Sequence, residues 1–337
     1  MHRRHFIKLA TVIAPLAGCV SKIGSGVRIR REPYQGWSDA IRMENDLCWV
    51  VIVPSIGRVM QFGLKDRPGV FWENPQLLGK SMPLDPWGTA VGSFGGDKTW
   101  PAPQSSWNWP PPDVFDRVGL AAQIEGSSVV MTSPVSPLFG IVTERRIRLA
   151  PHAALMSIDT IYRKLSGDPM QMAVWVITQL KDPDRVFFTA SENPAFVGGW
   201  SAQWKTPADK VRVKNGLVSM RREPQGSYKI GNDSKKIVWV GAKDVLKIEV
   251  STEFTSSISR RMKRSFTNQA EPWAAPPDEG CRVELYTNGG DADYVELETL
   301  GPSALLKSGE TLGATNTYSL GLRTSADAQV EALHYLP

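Results

Sequence analysis

The chain is poor in the two residue types that most often carry proton transfer and metal binding near neutral pH. It has four histidines and three cysteines in 337 residues. Two of the histidines fall at positions 2 and 5, which leaves His152, just after Pro151 in a hairpin-like connection, and His334 near the end. Neither has a nucleophile-elbow serine with it, so no Ser-His-Asp arrangement can be assembled. Beyond Cys19, neither Cys48 nor Cys281 has a histidine at ligand spacing, and no metal site or cofactor is expected. Phosphate-cradling glycine loops are missing as well, because Gly95-Gly96 alone is too weak a signal. No internal repeat occurs at solenoid or propeller spacing, and convincing helical periodicity is scarce.

Long apolar runs are also lacking, and the N-terminus shows why that matters. Residues 1–8 (MHRRHFIK) are basic, and the apolar stretch 9–18 is too short to span a bilayer as a stable helix. Such a pattern is an export address, to be set aside before fold reasoning. Residues 16–19 (LAGC) resemble a bacterial lipobox, whose cysteine, here Cys19, is lipidated and becomes the new N-terminus. Residues 3–8 (RRHFIK) resemble a twin-arginine export motif carried by Arg3 and Arg4; an ordinary secretory signal with paired arginines is the alternative. The expected organisation is a cleaved signal over 1–18, a lipidated Cys19 with a tether over 19–31, and one domain over 32–337. The expected location is the bacterial cell envelope, lipid-anchored to a membrane.

Removal of residues 1–18 deletes Arg3, Arg4 and Lys8 and no acidic residue, leaving 36 basic against 34 acidic side chains. A nearly neutral mature chain argues against nucleic acid, which needs concentrated positive charge. Arg28, Arg30 and Arg31 form a small basic cluster that suits a solvated tether, with anionic headgroups as the alternative. An oxidising compartment permits a disulfide between Cys48 and Cys281. A buried, unbonded thiol fits Cys48 equally, since it lies in an apolar strand pattern.

What is present in abundance is β-strand pattern. Residues 48–53 (CWVVIV) are apolar and β-branched, and a second run, 58–64, follows a turn. Residues 141–149 and 154–162 flank a hairpin connection. Residues 173–180 (AVWVITQL) are almost continuously apolar, as a strand covered on both faces is. In 246–254, Leu246, Ile248, Val250, Thr252 and Phe254 alternate with charged or polar residues. Residues 282–287 and 294–300 bracket Asn288-Gly289-Gly290-Asp291, a strong hairpin signal. Residues 327–333 fit either a helical turn or a last strand. Composition breaks near 83–112 and 270–278 read as long loops on one large β-sandwich.

Residues 95–112 (GGDKTWPAPQSSWNWPPP) hold three tryptophans and five prolines. Helices and central strands do not tolerate that proline density, yet disordered linkers are poor in aromatics. An ordered, stiff loop displaying indoles fits both facts. Flat apolar faces flanked by polar groups suit a carbohydrate ligand.

Residues 53–62 (VPSIGRVMQF), 71–75 (FWENP), 95–104 (GGDKTWPAPQ) and 294–302 (YVELETLGP) together resemble a bacterial family catalogued as domain of unknown function 4380. That family is similar to galactose mutarotase-like, or aldose epimerase-like, proteins. The resemblance implies an all-β, large antiparallel β-supersandwich with a sugar-binding groove, and it places Glu298 where a mutarotase carries its base. Glu296 shares a strand face with Glu298, either as a carboxylate pair or as two solvent-facing residues. Where a mutarotase places histidine, this chain reads Trp175-Val176-Ile177-Thr178-Gln179. Tryptophan and glutamine bind sugars but exchange no protons near neutral pH, so histidine-dependent epimerisation is disfavoured.

The candidate site therefore comprises Glu298 as base and Asp97 as a second carboxylate. The sugar-binding set is Trp100, Gln104, Trp107, Trp109, Lys98, Trp175, Gln179 and Arg58. Asp97 and Lys98 read equally as turn chemistry, Arg58 as an intramolecular ion pair, and the indoles, Trp87 included, as loop anchors. Glu73 is a further partner for Glu298 in glycoside hydrolysis; Lys98 or a tyrosine is a base for a lyase. Three functions remain: a lipid-anchored envelope protein that binds carbohydrate, a carbohydrate-active enzyme (a histidine-free epimerase, hydrolase or lyase), and a structural lipoprotein with a protein partner. An enzyme requires Glu298 and a second titratable group in one concave pocket. For the export motif, replacing Arg3 and Arg4 by lysine is expected to block export in a fractionation assay; unchanged export would assign the general secretory route.

Overall fold

The structure, a computed structural model, describes residues 26–81, 93–107, 109–204, 206–251, 268–269 and 280–336. Arg3, Arg4, Cys19, Trp87, residues 270–278 and the end of the 246–254 pattern lie outside the described residues.

Two large sheets face each other. The first runs, in hydrogen-bonded order, Arg28–Arg31, Ile41–Glu44, Cys48–Val53, Arg58–Leu64, Asp97–Ala102, Met170–Lys181, Tyr294–Leu300, Val283–Thr287, Tyr228–Asn232 and Ser201–Ala202. The second runs Arg212–Lys214, Leu217–Met220, Arg185–Thr189, Lys236–Val240, Asp244–Ser251, Glu310–Leu322, Leu155–Lys164, Ile141–Leu149, Ser128–Thr132 and Ala121–Glu125. Pairing along both paths is antiparallel; among the described residues, only Asn268–Gln269 pairs in parallel, with Glu310–Leu322. The layers are cemented by side chains of alternating register such as Phe62, Phe71, Ile158, Phe188, Leu246 and Leu297, all essentially inaccessible. Burying a side chain of this size contributes about 1.5–3 kcal/mol each. This is the all-β supersandwich that the strand patterns and the resemblance lead one to expect.

One detail differs from the sequence reading, and two of its open alternatives are resolved. Residues 28–31 are the edge strand of the first sheet rather than tether, paired with Ile41–Glu44. Their charges are held by Glu44, which accepts from Arg28 at 3.2 Å and from Arg30 at 2.7 Å. Residues 327–333 are helical: Ala328–Leu333 is capped by Asp327, whose carboxylate accepts from the Gln329 and Val330 amides. No disulfide joins Cys48 and Cys281, which are buried separately.

The largest departure concerns residues 95–112. Asp97–Ala102 is a strand in the middle of the first sheet, with Pro101 inside it. Proline is tolerated because the neighbouring Arg58–Leu64 strand pairs with it only at Val59 and Asp97. The Pro101 carbonyl accepts from Trp107 Nε1 at 2.8 Å, so the Pro101 nitrogen faces the same, unladdered side. Gly95 and Gly96 bring the chain into this strand. At Gly95, φ is +95° and an added Cβ would lie 2.0 Å from the Trp72 carbonyl, a contact only glycine avoids.

Asp97 faces inward, fully buried and paired with Arg145 of the Ile141–Leu149 strand. Thr178 and Tyr318 donate to its other oxygen at 2.7 and 2.6 Å. The pair thus ties the first sheet to the second. Asp97→Ala strands a buried guanidinium and is expected to lower unfolding stability by about 3–5 kcal/mol in urea titration; a loss under about 1 kcal/mol would show the pair to be dispensable.

Candidate functional site

Five consecutive strands of the first sheet build the floor of a cleft, and period-two alternation decides which side chains it receives. In the register, Trp100 faces Trp175 across the Asp97–Ala102 and Met170–Lys181 strands. Ile177, Glu298 and Glu284 form a second row. Gln179, Glu296, Tyr286 and Lys229 form a third. The cleft has a volume of about 530 Å³, and Trp100, Trp109, Trp175, Glu284, Glu296 and Glu298 are among its walls. Gln104, Gln203, Trp204, Lys229, Tyr286 and Tyr294 complete it.

Trp100 is the hub of the aromatic wall. Trp175, Trp107 and Trp109 each approach it edge-on, with centroids at 5.4, 5.6 and 6.2 Å, the geometry that ring quadrupoles favour. Trp109 remains 63% exposed. Lys98 Nζ lies 3.7 Å from the Trp100 ring centroid. Lys98 and Arg58 both donate to Asp116 Oδ1 at 3.0 Å, and Trp100 Nε1 donates to the same atom at 3.2 Å. Burial works against the Asp116 charge, but Lys98 and Arg58 hold its carboxyl below the ordinary aspartate range. Burial likewise pushes the Lys98 ammonium below the usual lysine range, with Arg58 adding to the fall and Asp116 opposing it. This triad holds the tryptophan on one ring face and at its ring nitrogen.

The charged wall is centred on Glu298. Its Oε2 accepts from Trp175 Nε1 at 2.6 Å and from Lys229 Nζ at 2.9 Å. Lys229 also bridges to Glu284 at 2.7 Å. Burial disfavours the Lys229 charge, yet Glu298 and Glu284 together raise its pKa well above the usual lysine range. Glu296 accepts from Gln179 Nε2 at 2.7 Å, and Gln179 is itself fixed by Ser93, which donates to its Oε1 at 2.7 Å. Burial, together with the Glu298 charge, raises Glu296 to about 7. The cleft thus holds a carboxyl that exchanges its proton near neutral pH beside a carboxylate bridged by lysine, an arrangement suited to general acid–base chemistry.

Of the sequence candidates, Glu298, Trp100, Gln104, Trp109 and Trp175 line the cleft. Gln179 orients Glu296 from behind. Trp107 is turned away, half-buried with its Nε1 bonded to Pro101. Lys98 and Arg58 are buried beside Trp100, both bound to Asp116, and Asp97 faces the opposite side of the strand because it neighbours Lys98. Glu73 sits apart, accepting from Tyr34 at 2.8 Å. Neither His152 nor His334 reaches the cleft. Among the described residues, no group of three or more His, Cys, Asp and Glu side chains is placed to hold a metal ion.

Lys229, Glu284, Asp116, Gln203, Trp204, Tyr286 and Tyr294 were missed. A signal existed for Glu284 and Tyr286: the hairpin at 288–291, carried through in register, sets them opposite Glu298 and Glu296. None existed for Lys229, which a distant strand delivers.

The family profile described as "domain of unknown function (DUF4380)" matches residues 39–320. No curated protein matches the sequence. Among solved structures, the chain is similar to a TPR-domain containing protein from Parabacteroides distasonis (13% identity, TM-score 0.53). That match covers 90% of this chain and 48% of the other, so the chain spans about half the length of that protein. It is also similar to a candidate mutarotase, YeaD, from Salmonella typhimurium (10% identity, TM-score 0.52, 91% of this chain and 98% of that one). A galactose mutarotase-like protein from Lactobacillus casei gives 9% identity and a TM-score of 0.52 over 84% and 100%. The shared fold is the galactose mutarotase-like β-supersandwich, and the chain belongs to the DUF4380 family.

Because the folded Glu296 pKa of about 7 exceeds its ordinary 4.5, the unfolded chain releases this proton first. Stability contributed here is therefore full below pH 4.5 and falls as pH rises toward 7. Glu298→Gln removes the repelling charge, and the Glu296 titration in carbon-13 carboxyl NMR is expected to move down from about 7; an unmoved midpoint would show the two groups to be uncoupled.

Proposed function

We propose that this member of the DUF4380 family binds a carbohydrate in the cleft floored by Trp100 and Trp175. We further infer that it does so as an envelope protein, exported through the Arg3-Arg4 signal and anchored by lipid at Cys19. The observation that carries the binding reading is one concavity in which an exposed indole, Trp109, over the buried Trp100 and Trp175, stands beside hydrogen-bonding side chains. Trp100, Trp109 and Trp175 meet Gln104, Glu296 and Glu298 there. Pyranoses present apolar CH faces to aromatic rings and hydroxyls to such polar groups. The mutarotase-like relatives support a sugar-related role at the level of fold.

Three carboxyl side chains against one lysine favour neutral sugars over uronic acids. Arg58, a second cation that an acidic sugar could use, is buried and paired with Asp116.

A second reading, acid–base turnover of the bound sugar, is favoured by Glu296 alone. Protonated Glu296 would give its proton to the ring oxygen while the Glu298 carboxylate takes the anomeric hydroxyl proton. The bond from the anomeric carbon to the ring oxygen then breaks and the open-chain aldehyde forms; reclosure reverses both transfers. Glutamate would thus fill the role of the missing histidine.

The test is a mono- and oligosaccharide binding screen with Trp109→Ala and Glu298→Gln run in parallel. Glu298→Gln is expected to weaken any hit roughly tenfold or more, the worth of a charge-assisted hydrogen bond, and glucuronate is expected to bind more weakly than glucose. Hits insensitive to both substitutions would remove the cleft assignment. Polarimetry of the same hits decides turnover: anomer conversion lost in Glu296→Gln, with binding retained, supports the second reading.

A further inference from the structure

Resting on the carbohydrate reading above, we propose that the cleft takes an oligosaccharide, with separate sugars seated on Trp109 at one end and on Trp204 at the other. Both indoles are largely in solvent, 63% and 52% exposed. Both line the same cleft. Each is steered by a different ring. Trp109 stands edge-on to Trp100, 6.2 Å between centroids, and Trp204 lies nearly parallel to Tyr286 at 6.2 Å and 21°.

The supporting rings fix how far apart the platforms are. Trp100 belongs to the Asp97–Ala102 strand and Tyr286 to the Val283–Thr287 strand. The Met170–Lys181 and Tyr294–Leu300 strands run between them. Three inter-strand steps of about 4.8 Å set their strands about 14 Å apart, and the register places Tyr286 opposite Gln179, four residues along from Trp175, together farther than one pyranose ring reaches. The charged residues occupy the middle: Glu298 and Glu296 on Tyr294–Leu300, Glu284 beside them, and Lys229 bridging two of the three. The order across the cleft is therefore aromatic, polar, aromatic. A single sugar over Glu298 would use the centre and leave both exposed indoles without a task. A chain of sugars uses all three zones, each outer ring stacked and the central one held through its hydroxyls.

Calorimetry on the full chain in detergent tests this with graded ligands: glucose to cellotetraose and to maltotetraose, N-acetylglucosamine to its tetramer, and galactose to its β-linked tetramer. In the series that binds, affinity is expected to rise roughly tenfold or more from monosaccharide to trimer and then level off. Trp204→Ala is expected to remove about fivefold or more of that gain, costing the trimer more than the monosaccharide, with Trp204→Tyr retaining most of it. Equal affinity for monomer and tetramer, or a Trp204→Ala loss that is the same for both, would overturn the oligosaccharide assignment and leave the carbohydrate reading standing. Failure of every sugar at every length would take down the carbohydrate reading itself and this inference with it.

Discussion

The buried pair of Asp97 and Arg145 is the contact on which the rest of the site depends. Two charges removed from water carry a desolvation cost that only complete hydrogen bonding offsets. Thr178 and Tyr318 supply it for Asp97, and Arg145 also donates to the Asp97 carbonyl at 3.2 Å. Because these partners come from both sheets, the pair locks the strand that begins at Asp97 against the second layer. A strand so locked has no freedom to slip by one residue, since slippage would move Lys98 into the interior and Asp97 out of it.

That register has consequences on the other face. Lys98 and Trp100 must emerge together, two residues apart, and the sequence provides for both. The short Asp113–Asp116 helix returns the chain so that Asp116 meets Lys98, Arg58 and Trp100 at once. The tryptophan is thereby clamped by its ring nitrogen, by the cation on its face and by three neighbouring indoles. A rigid aromatic floor is what a stacking ligand needs, because an indole already held in place loses little further freedom on binding.

The acidic side of the cleft follows a different logic. Glu298, Glu296 and Glu284 sit close enough to repel, and Lys229 offsets only part of that repulsion. Burial first, and the neighbouring Glu298 charge second, keep the proton on Glu296, the carboxyl without a lysine bridge, up to about pH 7. The missing histidine is compatible with this arrangement because a second carboxyl, suitably buried, covers the same pH range.

Much of the fold was legible in the sequence for a simple reason: strand patterns and hairpin turns are local. The runs at 48–53, 141–149, 173–180 and 294–300 all stand as strands, and Glu298 and Trp175 line the cleft as their strand faces require. Local composition misled at 97–102, part of a stretch of three tryptophans and five prolines that read throughout as loop. A proline can sit in a strand whose neighbour has peeled away, and no window of sequence reveals a neighbour's departure. The same limit hid Lys229 and Trp204, which come from segments far along the chain. By itself, the sequence determined the strands, their buried faces and the residue types available for a sugar site. The pairing of distant strands alone decided which of those residues share a cleft, because only sheet order sets Asp97 inward, Trp100 outward and Lys229 against Glu298.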